Sequence, residues 1–223
     1  MNDAGRAVAD HVRRNIHRLD LGIDDDRADA RADLAKLRRG LGKTPVDAPE
    51  IWAITMIAEG GADRSPYALG KAAGDEPPTP EEWAIHIALT FYALHRQGHS
   101  QSMSEEGARN QGKSRDGPSF GAAMGALRRQ DANKELGVIR RFKAAITASD
   151  LKEFSRHALG AVQLLRAAAT PVKLDYPAFA ADLYRYQFPD SRERVVLKWG
   201  RHFWRDGGEN SDGGTKAEDK LKK

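Results

Sequence analysis

Thr79-Pro80-Glu81-Glu82-Trp83-Ala84-Ile85-His86-Ile87-Ala88-Leu89-Thr90-Phe91-Tyr92-Ala93-Leu94 carries both the start and the face of a helix. Thr79 can cap, Pro80 suits the first helical position because a helix start leaves that N–H unbonded anyway, and Glu82 can close the capping box. Trp83, Ile87, Phe91 and Leu94 follow at spacings of four, four and three, which lines them along one apolar face that ends before Gly98.

The same pattern recurs outward in both directions. Leu151, Phe154, Ala158, Val162, Leu165 and Ala169 repeat it over a longer helix, opened by Ser149 or Asp150 and stopped at Thr170-Pro171. Shorter helices are expected over Arg31 to Leu41, Pro49 to Ala58, Phe120 to Arg129, Leu136 to Ala148, Tyr176 to Gln187 and Arg192 to Arg205, with an earlier one around Ala7 to Leu19. No Asn-Gly hairpin signal and no sustained alternation of apolar and polar residues is present, while alanine, a strong helix former, is abundant. The expected fold is all-α: two small helical bundles joined by a long polar loop, with a disordered C-terminal tail. The expected boundaries are an N-terminal helical subdomain over 1–98, a polar Gly/Ser-rich linker over 99–117, a C-terminal bundle over 118–205 and the tail over 206–223.

A chain of 223 residues, 40% hydrophobic and 30% charged, is long enough to bury a core and has the composition of a folded protein. It has no apolar run near the roughly 18 residues of a membrane span, and Met1-Asn2-Asp3 lacks the layout of a secretory signal. The expected compartment is the cytoplasm. With no cysteine, disulfides, thiolate metal sites and a cysteine nucleophile are excluded. The net charge of +4 and pI near 9.3 favour polyanionic partners. From Asp206 onward five acids face four lysines, so the body before it holds all of the positive excess.

Several motifs suggest chemistry without completing it. Gly40-Leu41-Gly42-Lys43-Thr44 reads like the end of a phosphate-binding loop, yet the full pattern wants glycine where Leu37 stands, and Pro45 interrupts the helix that should follow. A helix C-cap glycine followed by a turn accounts for it, although Lys43 could still meet a phosphate. His86, His95 and His99 lack a third metal ligand at a recognisable spacing and read as surface histidines. Asp24-Asp25-Asp26, Asp29 and Asp33 fit neither a calcium loop nor an acid/base pair, and read as a solvated approach to a helix. Ser155 and His157, two apart on a helix, face away from each other. No catalytic residue, metal site or cofactor is expected.

The basic residues, by contrast, cluster with a geometry. Arg194, Lys198, Arg201 and Arg205, at spacings of four, three and four, form a cationic stripe beside an apolar face of Val195, Val196, Trp199 and Phe203. In Leu136 to Ala148, burial of Ile139, Phe142 and Ile146 leaves Arg140 and Lys143 together on one exposed side and Arg141 on another. Arg38-Arg39 and Arg128-Arg129 each end an expected helix, where cations also complement the helix dipole. Repeated clusters with few nearby acids suit a surface that tracks phosphates, whose counterions are released on contact. Base-reading motifs are absent.

Over Arg31 to Trp204 the sequence resembles the CasB family, the small subunit of the type I-E CRISPR surveillance complex Cascade. The likeness is carried by Leu34-Ala35-Lys36-Leu37-Arg38-Arg39-Gly40, Gly117-Pro118-Ser119-Phe120-Gly121, Leu127-Arg128-Arg129 and Val138-Ile139-Arg140-Arg141. It continues through Leu151 to Leu165 and from Val172-Lys173-Leu174-Asp175-Tyr176 to Lys198-Trp199. The resemblance implies a non-enzymatic protein of two helical bundles, present with a second copy of itself beside the backbone and large subunits. It implies contact with guide RNA and target DNA, including the displaced strand of the R-loop, with cleavage left to a separate nuclease. Arg38, Arg39, Arg128, Arg129, Arg140 and Lys143 fall on the matching stretches. Arg194, Lys198 and Arg201 rest on the stripe, and Lys43 and Arg141 on their neighbourhood. Lys113 and Arg115 lie in a loop where this sequence departs from shorter relatives. The rival readings are a free-standing helical DNA-binding protein and a nucleotide hydrolase using Gly42-Lys43-Thr44.

Overall fold

The computed structural model describes residues 3–56, 77–107, 109–110, 113–114 and 117–205. The expected disordered tail over 206–223, the end of the expected Pro49 to Ala58 helix and the side chains of Lys113 and Arg115 lie outside the described residues. In chain order come α1 (Asp3–Asp24), α2 (Ala28–Arg39), a 3-10 turn (Pro49–Ile51), α3 (Trp52–Thr55), α4 (Pro80–His95), β1 (Arg109–Asn110) and β2 (Lys113–Ser114). They are followed by α5 (Phe120–Gln130), α6 (Glu135–Ile146), α7 (Leu151–Arg166), α8 (Tyr176–Tyr186) and α9 (Pro189–Trp204). The all-α reading holds. Among the described residues the extended structure is one antiparallel two-residue ladder, β1 with β2, and a lone bridge from Ser104 to Leu174, too short to show a periodicity.

α4 begins as its sequence dictates: the Thr79 hydroxyl accepts from the Glu82 N–H while the Glu82 carboxylate accepts from the Thr79 N–H. Its apolar surface is wider than the expected single face. Every residue from Ala84 to His95 is buried, because α4 packs against α1, α2, α7 and α8, and a helix enclosed on all sides needs no polar face. α1 extends well beyond Ala7 to Leu19 in both directions. It buries Val8, Val12, Ile16 and Leu19 and lies along α8. The expected helix from Pro49 is instead a single 3-10 turn and a short α3, ended by Met56 in extended conformation, with no side chain capping its start.

α1, α2 and α4 form one group and α5, α6, α7 and α9 another, with α8 packed against members of both. A single apolar core runs from Val8 to Phe203. Its centre is aromatic: Trp199 stands 5.4 Å from Phe120 and 5.3 Å from Phe154, ring centre to ring centre, and Phe179 lies 5.6 Å from Phe120.

The histidines of α4 are not on the surface. His86 and His95 are buried, one bonded to the Gly40 carbonyl at 3.2 Å and the other to the Tyr176 hydroxyl at 3.1 Å. Burial holds the His86 pKa down and, with the nearby charge of His99, pushes that of His95 to about 4. Both are therefore neutral at pH 7. Beside them Asp20 takes bonds from the Tyr92 hydroxyl and the Arg96 guanidinium, so the charge at this junction is paired.

Candidate nucleic-acid interface

Where the cationic helices meet, their approach is set by two glycines. α5 and α9 run in the same direction, Gly121 opposite Trp199 and Gly125 opposite Phe203. A Cβ on Gly121 would stand 1.9 Å from the Trp199 carbonyl oxygen, and one on Gly125 2.6 Å from that of Phe203. Only glycine lets the two backbones come this close. The N-cap of α5, Ser119, accepts from the Ala122 N–H and shares a 2.7 Å hydrogen bond with Nδ1 of His202 on α9, which ties the same pair together.

This crossing decides the fate of the arginines at its far end. Arg128 is folded in, 12% exposed, with its guanidinium over the rings of Phe203 and Trp204 at 5.5 and 4.9 Å and an ion pair to Glu135 at 3.3 Å. Arg129 is exposed and donates to the Arg205 carbonyl at 2.9 Å. The expected four-residue stripe on α9 is broken. Lys198 pairs with the carboxylate of Asp182, a residue 2% exposed that also accepts from Trp199 Nε1 at 3.0 Å and Arg185 at 3.2 Å. A carboxylate so enclosed needs a compensating cation, and helical phase alone cannot reveal it because Asp182 comes from α8. Arg194 bends back to the Asp190 carbonyl at 3.2 Å. Arg201 stays exposed with no ion pair among the described residues.

On α6 the buried face is Val138, Phe142 and Ala145, with Ile139 and Ile146 half-buried, a rotation from the expected Ile139, Phe142 and Ile146. Arg140, Arg141 and Lys143 remain exposed, and none has an ion pair among the described residues. Arg141 reaches over α7, its guanidinium next to the space a Cβ on Gly160 would fill. It also lines a mostly apolar cavity of about 540 Å³ between α5, α6 and α7, with Leu127, Val138 and Leu164. Lys152 and Arg156 were not among the expected site residues. They stand exposed on α7, four apart and without an ion pair among the described residues, and their spacing was the available signal.

At the end of α2, Arg38 is half-buried and Arg39 exposed, again with no ion pair among the described residues. Burial, and then the like charge of Arg39, lower the Arg38 pKa, although guanidinium stays charged at any physiological pH. Two adjacent cations without an ion pair among the described residues favour an anion beside them, although Glu50 lies within electrostatic reach of Arg39. Lys43 differs, because its ammonium pairs with Glu50 at 3.1 Å. Gly40 caps α2 in helical conformation and Gly42 turns the chain at φ +74°, the cap-and-turn reading, with Lys43 tied to a neighbour. Of the acids near α2, Asp26 pairs with Arg31, Asp29 with Arg27 at 2.6 Å, and Asp33 with Arg18 at 2.9 Å.

The structure thus separates the expected cations. Arg128, Lys198 and Lys43 are bound into the fold, while Arg38, Arg39, Arg140, Arg141, Lys143 and Arg201 are unpaired among the described residues. The arrangement can attract and hold polyanions. Among the described residues no group of three metal-ligating side chains comes together, and no helix is long and apolar enough to cross a membrane.

A family model described as CRISPR-associated protein Cse2 matches residues 33–204. The crystal structure of CasB from Thermobifida fusca is similar at 27% identity and a TM-score of 0.63, over 91% of this chain and 98% of that one. Two structures from Thermus thermophilus share the fold at 20% identity, over 90% of this chain and 97% of each: a CRISPR-associated protein of the Cse2 family, with a TM-score of 0.54, and CasB, with 0.52. No curated protein sequence matches. With the family model matching residues 33–204, well over half of the chain, the chain belongs to the CRISPR-associated Cse2 family.

Proposed function

We propose that the chain is the non-catalytic small subunit of an RNA-guided type I-E CRISPR Cascade complex in antiviral defence. It binds nucleic-acid backbone without sequence preference and thereby steadies the R-loop, touching the guide–target region and the displaced DNA strand. Its partners are the backbone and large subunits, a second copy of itself, guide RNA and target DNA, in the cytoplasm. The observation that carries this reading is the set of cations without an ion pair among the described residues, exposed on α6 and half-buried to exposed at the end of α2, in a member of a CRISPR-associated family. Opening a duplex to form an RNA–DNA hybrid is close to balanced in free energy, so a few non-specific backbone contacts can decide whether the open state persists.

The test is a salt titration of binding to single- and double-stranded DNA of several sequences, with the wild-type chain and an Arg140→Ala/Lys143→Ala variant. The expected result is weak, sequence-indifferent affinity with a steep salt slope, which the double substitution lowers by about two on duplex DNA. Salt-insensitive binding, or strong preference for one sequence, would refute the reading.

A further inference from the structure

Phe203 of α9 belongs to the core, but its neighbour Trp204 is 52% exposed. Trp204 is nonetheless held in place. The Arg128 guanidinium sits over one face of its ring at 4.9 Å, and Phe203 meets it edge-on with ring centres 5.0 Å apart. A large aromatic ring held by a cation and by a neighbouring ring, yet half exposed, is a rigid platform, whereas exposing such a ring to water forfeits its burial.

Its surroundings are cationic. Helical phase brings Arg194, Leu197, Arg201 and Trp204, at successive spacings of three, four and three, onto one strip of α9, and Leu197 is also 52% exposed. Arg205 follows directly, and Arg129, bonded to the Arg205 carbonyl, stands beside it. The one carboxylate bonded to these arginines among the described residues is Glu135, which is paired with Arg128.

We infer that Trp204 is a stacking platform for an unpaired nucleobase, with Arg129, Arg201 and Arg205 holding the phosphates on either side, so that this end of the α5–α9 pair selects single-stranded nucleic acid. Stacked bases in a duplex have no free face to offer a protein ring, while an unpaired base does, and every base has a π-face, so the contact is sequence-tolerant. A second copy of the chain is a poorer occupant: the strip offers two apolar side chains set between arginines that a protein interface would have to desolvate. The inference rests on the backbone-binding reading above and narrows it to one strand type at one place.

Fluorescence anisotropy with the full chain distinguishes the two. The probes are a labelled oligo(dT) strand and a labelled duplex of the same length, about 20 nucleotides, long enough to span such a site. Trp204→Ala should weaken oligo(dT) binding at least about fivefold, leave the duplex and the salt slope unchanged, and be rescued by Trp204→Phe. Equal losses on both probes would make Trp204 a structural residue and overturn the inference. So would unchanged oligo(dT) binding, or a loss of self-association by sedimentation in place of a loss of binding. If Arg129→Ala/Arg201→Ala weakens binding while Trp204→Ala does not, backbone holding stands and the platform falls. If neither variant affects either probe, the platform and its flanking arginines are overturned as a binding site, while the backbone reading, carried by α6 and the end of α2, stands or falls by the Arg140→Ala/Lys143→Ala titration above.

Discussion

Arg128 and Arg140 are the same side chain on consecutive helices, and they do opposite work. At the α5–α9 end the arginine lies under two aromatic rings and against a glutamate. On the outer face of α6 it stands in solvent with no ion pair among the described residues. A basic cluster in sequence is therefore not yet a basic surface. Packing first takes the cations it needs to compensate buried acids and cover rings, and what remains unpaired is what a polyanion can meet.

The contrast between the two arginines is lost most completely when the contact that created it is opened. Gly121→Val would force α9 off α5, since even a methyl would stand 1.9 Å from a backbone carbonyl. A loss of about 3 kcal/mol is expected in urea denaturation, and a value near zero would mean the helices slide apart freely. Acid probes the interior side of the same rule, that a buried cation is paired or given up. His95, with its pKa depressed to about 4 by burial, binds fewer protons folded than unfolded. Its contribution is therefore present above the unfolded pKa near 6.5 and lost as pH falls toward 4, on the order of 3 kcal/mol. His95→Gln should flatten that part of the stability–pH curve, and an unchanged curve would assign the acid lability to other groups.

Arg128→Ala should cost about 2 kcal/mol through its lost ring and glutamate contacts, visible as a lower midpoint in the same denaturation assay. If stability is retained and only DNA affinity falls, Arg128 belongs with Arg140 after all. The smallest effect is expected from Arg140→Ala/Lys143→Ala, within about 0.5 kcal/mol of wild type in stability. A larger loss would show that these side chains also serve the fold.

Much of the fold was legible because its signals are local. The Thr79–Glu82 capping box, the Gly40 cap and the apolar spacing of α7 from Leu151 to Leu165 depend on residues a few positions apart, and each recurs in the structure, although α7 ends at Arg166 and leaves Ala169, expected on its apolar face, exposed. Two departures from the expected surface trace to contact with a distant element. His86 and His95 are buried because α1, α2, α7 and α8 close around α4, and Lys198 is taken by Asp182 of α8.

That the chain is helical, that its body carries the positive excess, and on which stretches that charge falls all follow from the order of residues, because capping, helical period and charge count are properties of neighbours. Which cations are free was settled by tertiary packing. Whether an arginine is spent on a buried carboxylate, laid across a ring or left to solvent is fixed by which helices come within a few ångströms, and here by two glycines that let α9 lie against α5.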